Sequence, residues 1–136
     1  MLVVCCLILL IEADPTIRKH LSTLLDARGY QCLAIPSLEA ALAEAPRRSY
    51  AVVVVDLDLA GSDAGALAGC LRGAAPTAQL VGLDAGGGVR GLEAFDLVVA
   101  KPFLAEPLLA AISQLLPPDA PWGETSADGL DAPAPR

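Results

Sequence analysis

Short apolar runs alternate along this chain with segments of helical periodicity, and this alternation restricts the possible folds more than any other feature. The runs at residues 5–11 and 50–55 are apolar at nearly every position, as expected of strands buried on both faces of a sheet. The helical segments open at residues that suit an N-cap, such as Asp14 and Ser37. Apolar residues then recur three and four positions apart. Strands that alternate with helices predict a parallel sheet with right-handed crossovers and helices on both faces.

The same pattern continues through the second half of the chain. The predicted strands lie at residues 5–11, 31–35, 50–55, 79–83 and 96–100. The glycine-rich segment 85–91 leaves room for only a short helix before the last strand. Pro, Ala, Asp and Gly dominate from residue 117 onward. We therefore expect one folded domain at residues 1–116, with a shortened fourth helix, and a flexible tail at residues 117–136.

Composition and charge exclude several classes of protein. An apolar fraction of 54% and a charged fraction of 18% are typical of a chain with a buried core. The net charge of −7 argues against a nucleic-acid partner, which would require a basic patch. Residues 1–11 are too short for a membrane span and lack the basic start of a secretion signal. All four cysteines lie in apolar segments, so we expect buried, reduced thiols; they are Cys5, Cys6, Cys32 and Cys70. Reduced thiols are typical of a cytoplasmic protein. We expect no membrane partner.

Ionisable side chains follow four of the five predicted strands. They are Glu12 and Asp14 after the first strand, Asp56 and Asp58 after the third, Asp84 after the fourth and Lys101 after the fifth. Because parallel strands end at the same edge of the sheet, these side chains should form one polar site there. Carboxylates suit a hard cation such as Mg²⁺, and Lys101 would supply a further positive charge.

Three segments together resemble the receiver domain of two-component response regulators. They are Glu12-x-Asp14-Pro15, then residues 54–63 with Asp56-Leu57-Asp58-Leu59-x-Gly61, and finally Lys101-Pro102-Phe103. The resemblance covers about residues 5–116. It implies a flavodoxin-like, doubly wound (βα)₅ fold with a five-stranded parallel sheet in the strand order 2-1-3-4-5.

The resemblance also assigns roles to the residues at the strand ends. Asp56 would accept a phosphoryl group from a histidine kinase or a phosphotransfer protein, and Lys101 would contact the phosphoryl oxygens. Glu12, Asp56 and the backbone carbonyl of Asp58 would hold Mg²⁺. Asp14 is a further candidate ligand, although its position also suits a helix N-cap. The protein would then be a stand-alone signalling domain rather than an enzyme, acting by contact with an unknown downstream protein.

Some positions depart from the receiver pattern. The resemblance predicts a second acidic residue after the first strand, where this chain has Ala13. It predicts Ser or Thr after the fourth strand, where the chain has Asp84, and an aromatic residue in the fifth strand, where it has Val98. We expect Ala13 to weaken Mg²⁺ binding and Asp84 to repel a phosphate. A pseudo-receiver that binds a partner without being phosphorylated is therefore the alternative hypothesis.

Two other interpretations remain open at this point. Asp56-Leu57-Asp58 has the D-x-D form of haloacid-dehalogenase-type phosphatases, in which one Asp is the nucleophile and the other a general acid. In those enzymes the motif follows the first strand rather than the third. The glycines at residues 86–88 would be compatible with a flavin or nucleotide site, but this signal is weak.

Overall fold

The computed structural model describes residues 7–61, 63–86, 88–100 and 105–115. The strands of the sheet are β1 (Leu7–Ile11), β2 (Gln31–Ile35), β3 (Val52–Asp56), β4 (Gln79–Asp84) and β5 (Leu97–Ala100). The α-helices are α1 (Pro15–Ala27), α2 (Leu38–Glu44), α3 (Ala64–Ala74) and α4 (Ala105–Leu115). Strands and helices therefore alternate as the apolar pattern predicts.

The strands form one five-stranded sheet in the order β2-β1-β3-β4-β5, and every pairing is parallel. This confirms the predicted fold class. Asp56 and Asp84 are the last residues of β3 and β4 rather than the first residues after them, because Asp56 still pairs with Leu83 and Asp84 with Ala100. The carboxyl edge of the sheet thus carries both carboxylates on strand backbone.

Each face of the sheet packs against its own pair of helices. Along β3, Val52 and Val54 lie in a cluster with buried residues of α1 and α4, whereas Val53 and Val55 lie in a second cluster with α2 and α3. Since side chains alternate between the two faces of a strand, a strand covered on both sides must be apolar throughout. That requirement explains the run of valines.

The helix starts are set by short polar side chains. Asp14 caps α1 by accepting hydrogen bonds from the amides of Thr16 and Ile17, and Pro15 occupies the first turn. Ser37 caps α2. Asp63 caps α3 by accepting hydrogen bonds from the amides of Gly65 and Ala66. The caps fix where each helix leaves the carboxyl edge of the sheet, and thus which loops border the site.

The shortened fourth helix is confirmed. Between β4 and β5 the described residues contain only a 3₁₀ turn, Leu92–Ala94. The label α4 therefore belongs to the helix that follows β5, which buries Leu108 and Ile112 against the sheet. In the part of the chain that the structure describes, no helix is long and apolar enough to cross a membrane.

The expectation that the cysteines are buried is wrong for Cys70, which is exposed. The buried positions of α3 are Ala64, Leu67, Ala68 and Leu71. Their spacing of three and four residues places Cys70 beside the apolar stripe rather than within it. Cys32 is half-buried in β2. Cys5, Cys6 and the predicted tail at residues 117–136 lie outside the described residues.

Candidate functional site

Asp56 lies at the centre of the carboxyl edge, on the strand that β1 and β4 flank. Its side chain is only 5% exposed, which is unusual for a carboxylate. One of its oxygens, Oδ1, accepts a hydrogen bond of 3.1 Å from the amide of Asp58. That bond turns the chain sharply into a 3₁₀ turn, Leu57–Ala60, so the carboxylate is oriented by the backbone that follows it.

Glu12 follows β1 and is buried, at 1% exposed. The pairing of Ile11 with Val55 makes Glu12 and Asp56 the next residues on two adjacent strands. Ile11 and Val55 face the α2 and α3 side, so alternation directs Glu12 and Asp56 toward the α1 and α4 side. The amide of Asp14 donates to Oε2 of Glu12 at 3.2 Å. The sheet therefore brings two predicted site carboxylates together in a buried setting.

Arg18 borders the same site and was missed by the sequence reasoning. One terminal nitrogen of its guanidinium donates to the backbone carbonyls of Glu12, at 3.0 Å, and Ala13, at 3.2 Å. Ala13 itself is exposed. The signal that could have revealed Arg18 is its place in the first turn of α1, because helical side chains lean back toward the N-terminus and so toward the strand end.

Asp84 is half-buried at the end of β4. Its Oδ1 accepts a hydrogen bond of 3.0 Å from the amide of Gly86, so the carboxylate belongs to the turn that leaves the strand. Leu83, its neighbour in β4, faces the α1 and α4 side. Alternation therefore directs Asp84 to the opposite face from Asp56. The structure thus places Asp84 on the neighbouring strand end, but with its own local hydrogen bond.

The remaining predicted residues have less defined roles. Asp14 and Asp58 are exposed, and the carboxylate of Asp14 is engaged as the cap of α1. Lys101 lies outside the described residues, so its contact with a phosphoryl group stays a prediction. Val98, at the position where the receiver pattern predicts an aromatic residue, is 38% exposed.

The residues present fit a magnesium ion by the chemistry of their donors. Glu12 and Asp56 offer anionic oxygens on adjacent strand ends, and a backbone carbonyl at Asp58 would add a neutral one. Oxygen ligands of this kind are what Mg²⁺ prefers, with water completing its shell. In the described ranges, no group of three or more His, Cys, Asp or Glu side chains is placed to hold a metal ion. The ion would therefore depend on two carboxylates and the carbonyl.

Comparison with known sequences finds a relative among the response regulators. No protein-family model matches the chain. The response regulator protein FleR of Pseudomonas aeruginosa is 34% identical over 113 residues, which cover 79% of this chain and 24% of FleR. The chain therefore spans about a quarter of the length of this curated relative.

Comparison with solved structures finds the same fold. The response regulator TrrA of Thermotoga maritima, solved in complex with Mg²⁺ and BeF, has a TM-score of 0.71 and 28% identity, covering 81% of this chain and 98% of TrrA. A CheY-like receiver domain from Methylobacillus flagellatus has a TM-score of 0.72 and 26% identity, covering 83% of this chain and all of that one. The chemotaxis protein CheY4 of Vibrio cholerae, at 18% identity and a TM-score of 0.73, supports the fold alone. The similarity to FleR, the sheet order 2-1-3-4-5 and the buried carboxylate at the end of β3 together identify the described part of this chain as a response regulator receiver domain.

Proposed function

We propose that this receiver domain accepts a phosphoryl group on the Asp56 carboxylate from a histidine kinase or phosphotransfer protein and passes the signal on by protein contact. The observation that carries the proposal is the buried Asp56 carboxylate at the end of the central strand, with Glu12 on the adjacent strand end. A carboxylate in this position is oriented and protected from bulk water. Both conditions favour transfer between two proteins over loss to solvent.

In the proposed reaction, an oxygen of Asp56 attacks the phosphorus of a phosphohistidine. A bond forms between that oxygen and phosphorus, the bond from phosphorus to the imidazole nitrogen breaks, and the imidazole leaves with its electron pair. The amide of Asp58 holds Oδ1 of Asp56 and so fixes the direction of the carboxylate. Phosphoryl transfer needs mainly positioning and positive charge, and we propose that Lys101 supplies part of that charge. Mg²⁺, when bound at Glu12 and Asp56, would neutralise charge on the transferred oxygens.

Phosphorylation would change the charge balance at the carboxyl edge. An aspartyl phosphate adds about one unit of negative charge and three acceptor oxygens in place of the carboxylate. The neighbouring carboxylate of Asp84 would be repelled, and within the described residues its side chain is held by the hydrogen bond from the amide of Gly86. We propose that the loops after β3 and β4 respond to this charge and present a changed surface to the downstream protein.

A specific observation favours a second candidate function, that of a pseudo-receiver. Ala13 is exposed and offers no side-chain ligand, and the carboxylate of Asp84 stands at the end of β4 where a hydroxyl would favour a phosphate. The carboxyl edge, with Glu12 and Asp56 directed to one face and Asp84 to the other, could then serve as a fixed binding surface. Such a protein would bind its partner in one state only.

Incubation with Mg²⁺ and acetyl phosphate distinguishes the two candidates. We expect the intact protein to gain the mass of one phosphoryl group, in an adduct that hydroxylamine removes. Asp56→Asn, which keeps the shape of the side chain, should abolish the adduct, and Asp58→Asn, at an exposed position, should keep it. A wild-type protein that gains no mass would contradict phosphorylation and support the pseudo-receiver. Sustained release of phosphate from a phosphomonoester, lost in Asp56→Asn, would instead support a phosphatase.

The proposed partners are proteins, which agrees with the negative net charge of the chain. The net charge of −7 disfavours a nucleic-acid partner. We propose a cytoplasmic location, because phosphohistidine donors derive their phosphoryl group from ATP. A pull-down with a phosphotransfer domain, compared between the unphosphorylated and acetyl phosphate-treated protein, would test the partner directly.

A further inference from the structure

We propose that Arg18 is a positioning residue, which holds the turn between β1 and α1 so that the Glu12 carboxylate stays directed at the metal position beside Asp56. This inference rests on the proposed function, since it assigns Glu12 to that position. Arg18 is not itself proposed to contact a phosphoryl group or an ion. Its bonds are to backbone carbonyls, and its effect is on geometry.

The geometry places the guanidinium across the turn. Arg18 lies in the first turn of α1, and its amide donates to the carbonyl of Asp14 at 2.8 Å. Its half-buried side chain runs back past the helix start, where one terminal nitrogen reaches the carbonyls of both Glu12 and Ala13. A charged donor makes these bonds stronger than neutral ones. The two consecutive peptide groups that follow β1 are thereby fixed by one side chain.

The opposite side of the same turn is held by Asp14. Its carboxylate accepts from the amides of Thr16, at 2.9 Å, and Ile17, at 3.3 Å. Its own amide donates to Oε2 of Glu12. The Glu12 carboxylate is thus tied to a backbone amide whose position depends on the cap on one side and on Arg18 on the other. If the guanidinium is removed, the carbonyls of Glu12 and Ala13 would bind water instead. The Asp14 amide would then lose the restraint that Arg18 provides.

The departure at position 13 makes this support more important here. Ala13 supplies no ligand, so Glu12 is the acidic side chain through which this turn would reach a cation. A site with fewer ligands depends more strongly on the orientation of each one. Partners that orient a ligand without touching the metal typically change metal affinity by about 10- to 100-fold when they are removed.

The test compares Arg18→Ala and Arg18→Lys with Lys19→Ala in the full chain. Lys19 is the adjacent residue on α1, is exposed, and carries the same charge, so its removal controls for net charge. The first readout is amide hydrogen exchange at Asp14, with the capping amide of Ala40 at the start of α2 as an internal reference. The second is a titration with Mg²⁺ alone, followed by the amide shifts of Asp56 and Asp58.

We expect Arg18→Ala to accelerate exchange at Asp14 about tenfold more than at Ala40, and to weaken Mg²⁺ binding about tenfold. Lys19→Ala should leave both unchanged. Arg18→Lys should recover part of each effect, because one ammonium can still donate to two carbonyls. Equal acceleration at Asp14 and Ala40 would mean that Arg18 acts only on global stability, and would overturn the proposal. If the wild type shows no Mg²⁺-dependent shift, the proposed function fails, whereas the exchange comparison still decides the role of Arg18.

Discussion

The crossover from β3 to β4 and the crossover from β4 to β5 differ in how much helical structure they contain. The first contains α3, an 11-residue helix with four buried residues on one stripe. The second contains, in its described residues, only the 3₁₀ turn Leu92–Ala94, none of whose residues is fully buried. Both join parallel neighbours in the sheet. The two crossovers show how a receiver fold connects neighbouring strands when one of its helices is reduced to a short turn.

The short crossover is anchored to α3 at both ends. At the start of α3, the amide of Ala64 donates to the carbonyl of Arg90 at 2.6 Å. Toward its end, Arg72 donates to the carbonyl of Ala94 at 2.8 Å and to the carboxylate of Asp96 at 3.4 Å. Asp96 also accepts from the amide of Leu80 in β4 at 2.7 Å. Hydrogen bonds to α3 and β4 therefore hold the short crossover in place, whereas a full helix would be held by hydrogen bonds within itself.

Beside the short crossover, the edge strand β5 is incompletely covered. Val98 in β5 pairs in register with Gly82 in β4, and the side chain of Leu57 covers Gly82 so closely that a Cβ there would come within 2.8 Å of Leu57 Cδ1. Val98 is left 38% exposed. The apolar cover on this face, which includes the buried Phe95 of the short crossover, thus does not extend over Val98.

The largest difference between the crossovers should appear when one leucine is truncated in each. Leu71 in α3 is fully buried, so Leu71→Ala should lower the free energy of unfolding by about 3 kcal/mol. Leu92 in the short crossover is only partly buried, and Leu92→Ala should cost about 1 kcal/mol. Urea denaturation with unchanged m-values would measure both. Equal losses would show that the short crossover is as much a part of the core as α3.

A smaller effect should locate the anchor between the crossover and α3. Gly91 has a φ of +84°, and a Cβ at this position would overlap the amide nitrogen of Gly65 and lie 3.1 Å from Asp63 Oδ1. Gly91→Ala should cost about 2 kcal/mol through backbone strain and displacement of the helix start. Gly88 has a similar φ of +77°, but no atom of the described residues lies within 4 Å of its Cβ position, and Gly88→Ala should cost about 1 kcal/mol. Thermal unfolding that shifts equally in both variants would contradict the close contact at Gly91.

These contacts also show where prediction from the sequence ends. The alternation of strands and helices and the place of Asp56 at the carboxyl edge follow from local rules, because apolar runs indicate strands and parallel strands end at one edge. The strand order comes instead from the resemblance to receiver domains. The shortened fourth helix is equally visible as a run of glycines. The anchoring by Arg72 joins residues more than 20 positions apart, and no period in the sequence records such a contact. Arg18 escaped notice for another reason: its partners are backbone carbonyls, which every residue carries.

The smallest effect on stability should come from modifying the outer face of α3, where the sequence misplaced Cys70. Cys70 is exposed, whereas burial, with a further contribution from Asp26, raises the pKa of the Cys32 thiol to about 11. At about pH 8, iodoacetamide should label Cys70 readily because it is exposed. It should label Cys32 hardly at all, because the raised pKa keeps that thiol protonated and the thiolate is the reactive form. Peptide mapping by mass spectrometry separates the two, and the labelled protein should unfold at an unchanged urea concentration.

The raised pKa of the Cys32 thiol in β2 predicts a pH dependence of stability. The folded state keeps the Cys32 proton to about pH 11, while the unfolded chain releases it near 9.0. Below pH 9 the thiol contributes no difference, and between pH 9 and 11 stability should fall, because the unfolded chain then binds fewer protons. Cys32→Ser should flatten that part of the pH profile, which urea denaturation at a series of pH values would measure. A Cys32→Ser variant whose stability falls as steeply as that of the wild type between pH 9 and 11 would mean that β2 does not bury this thiol in the folded state.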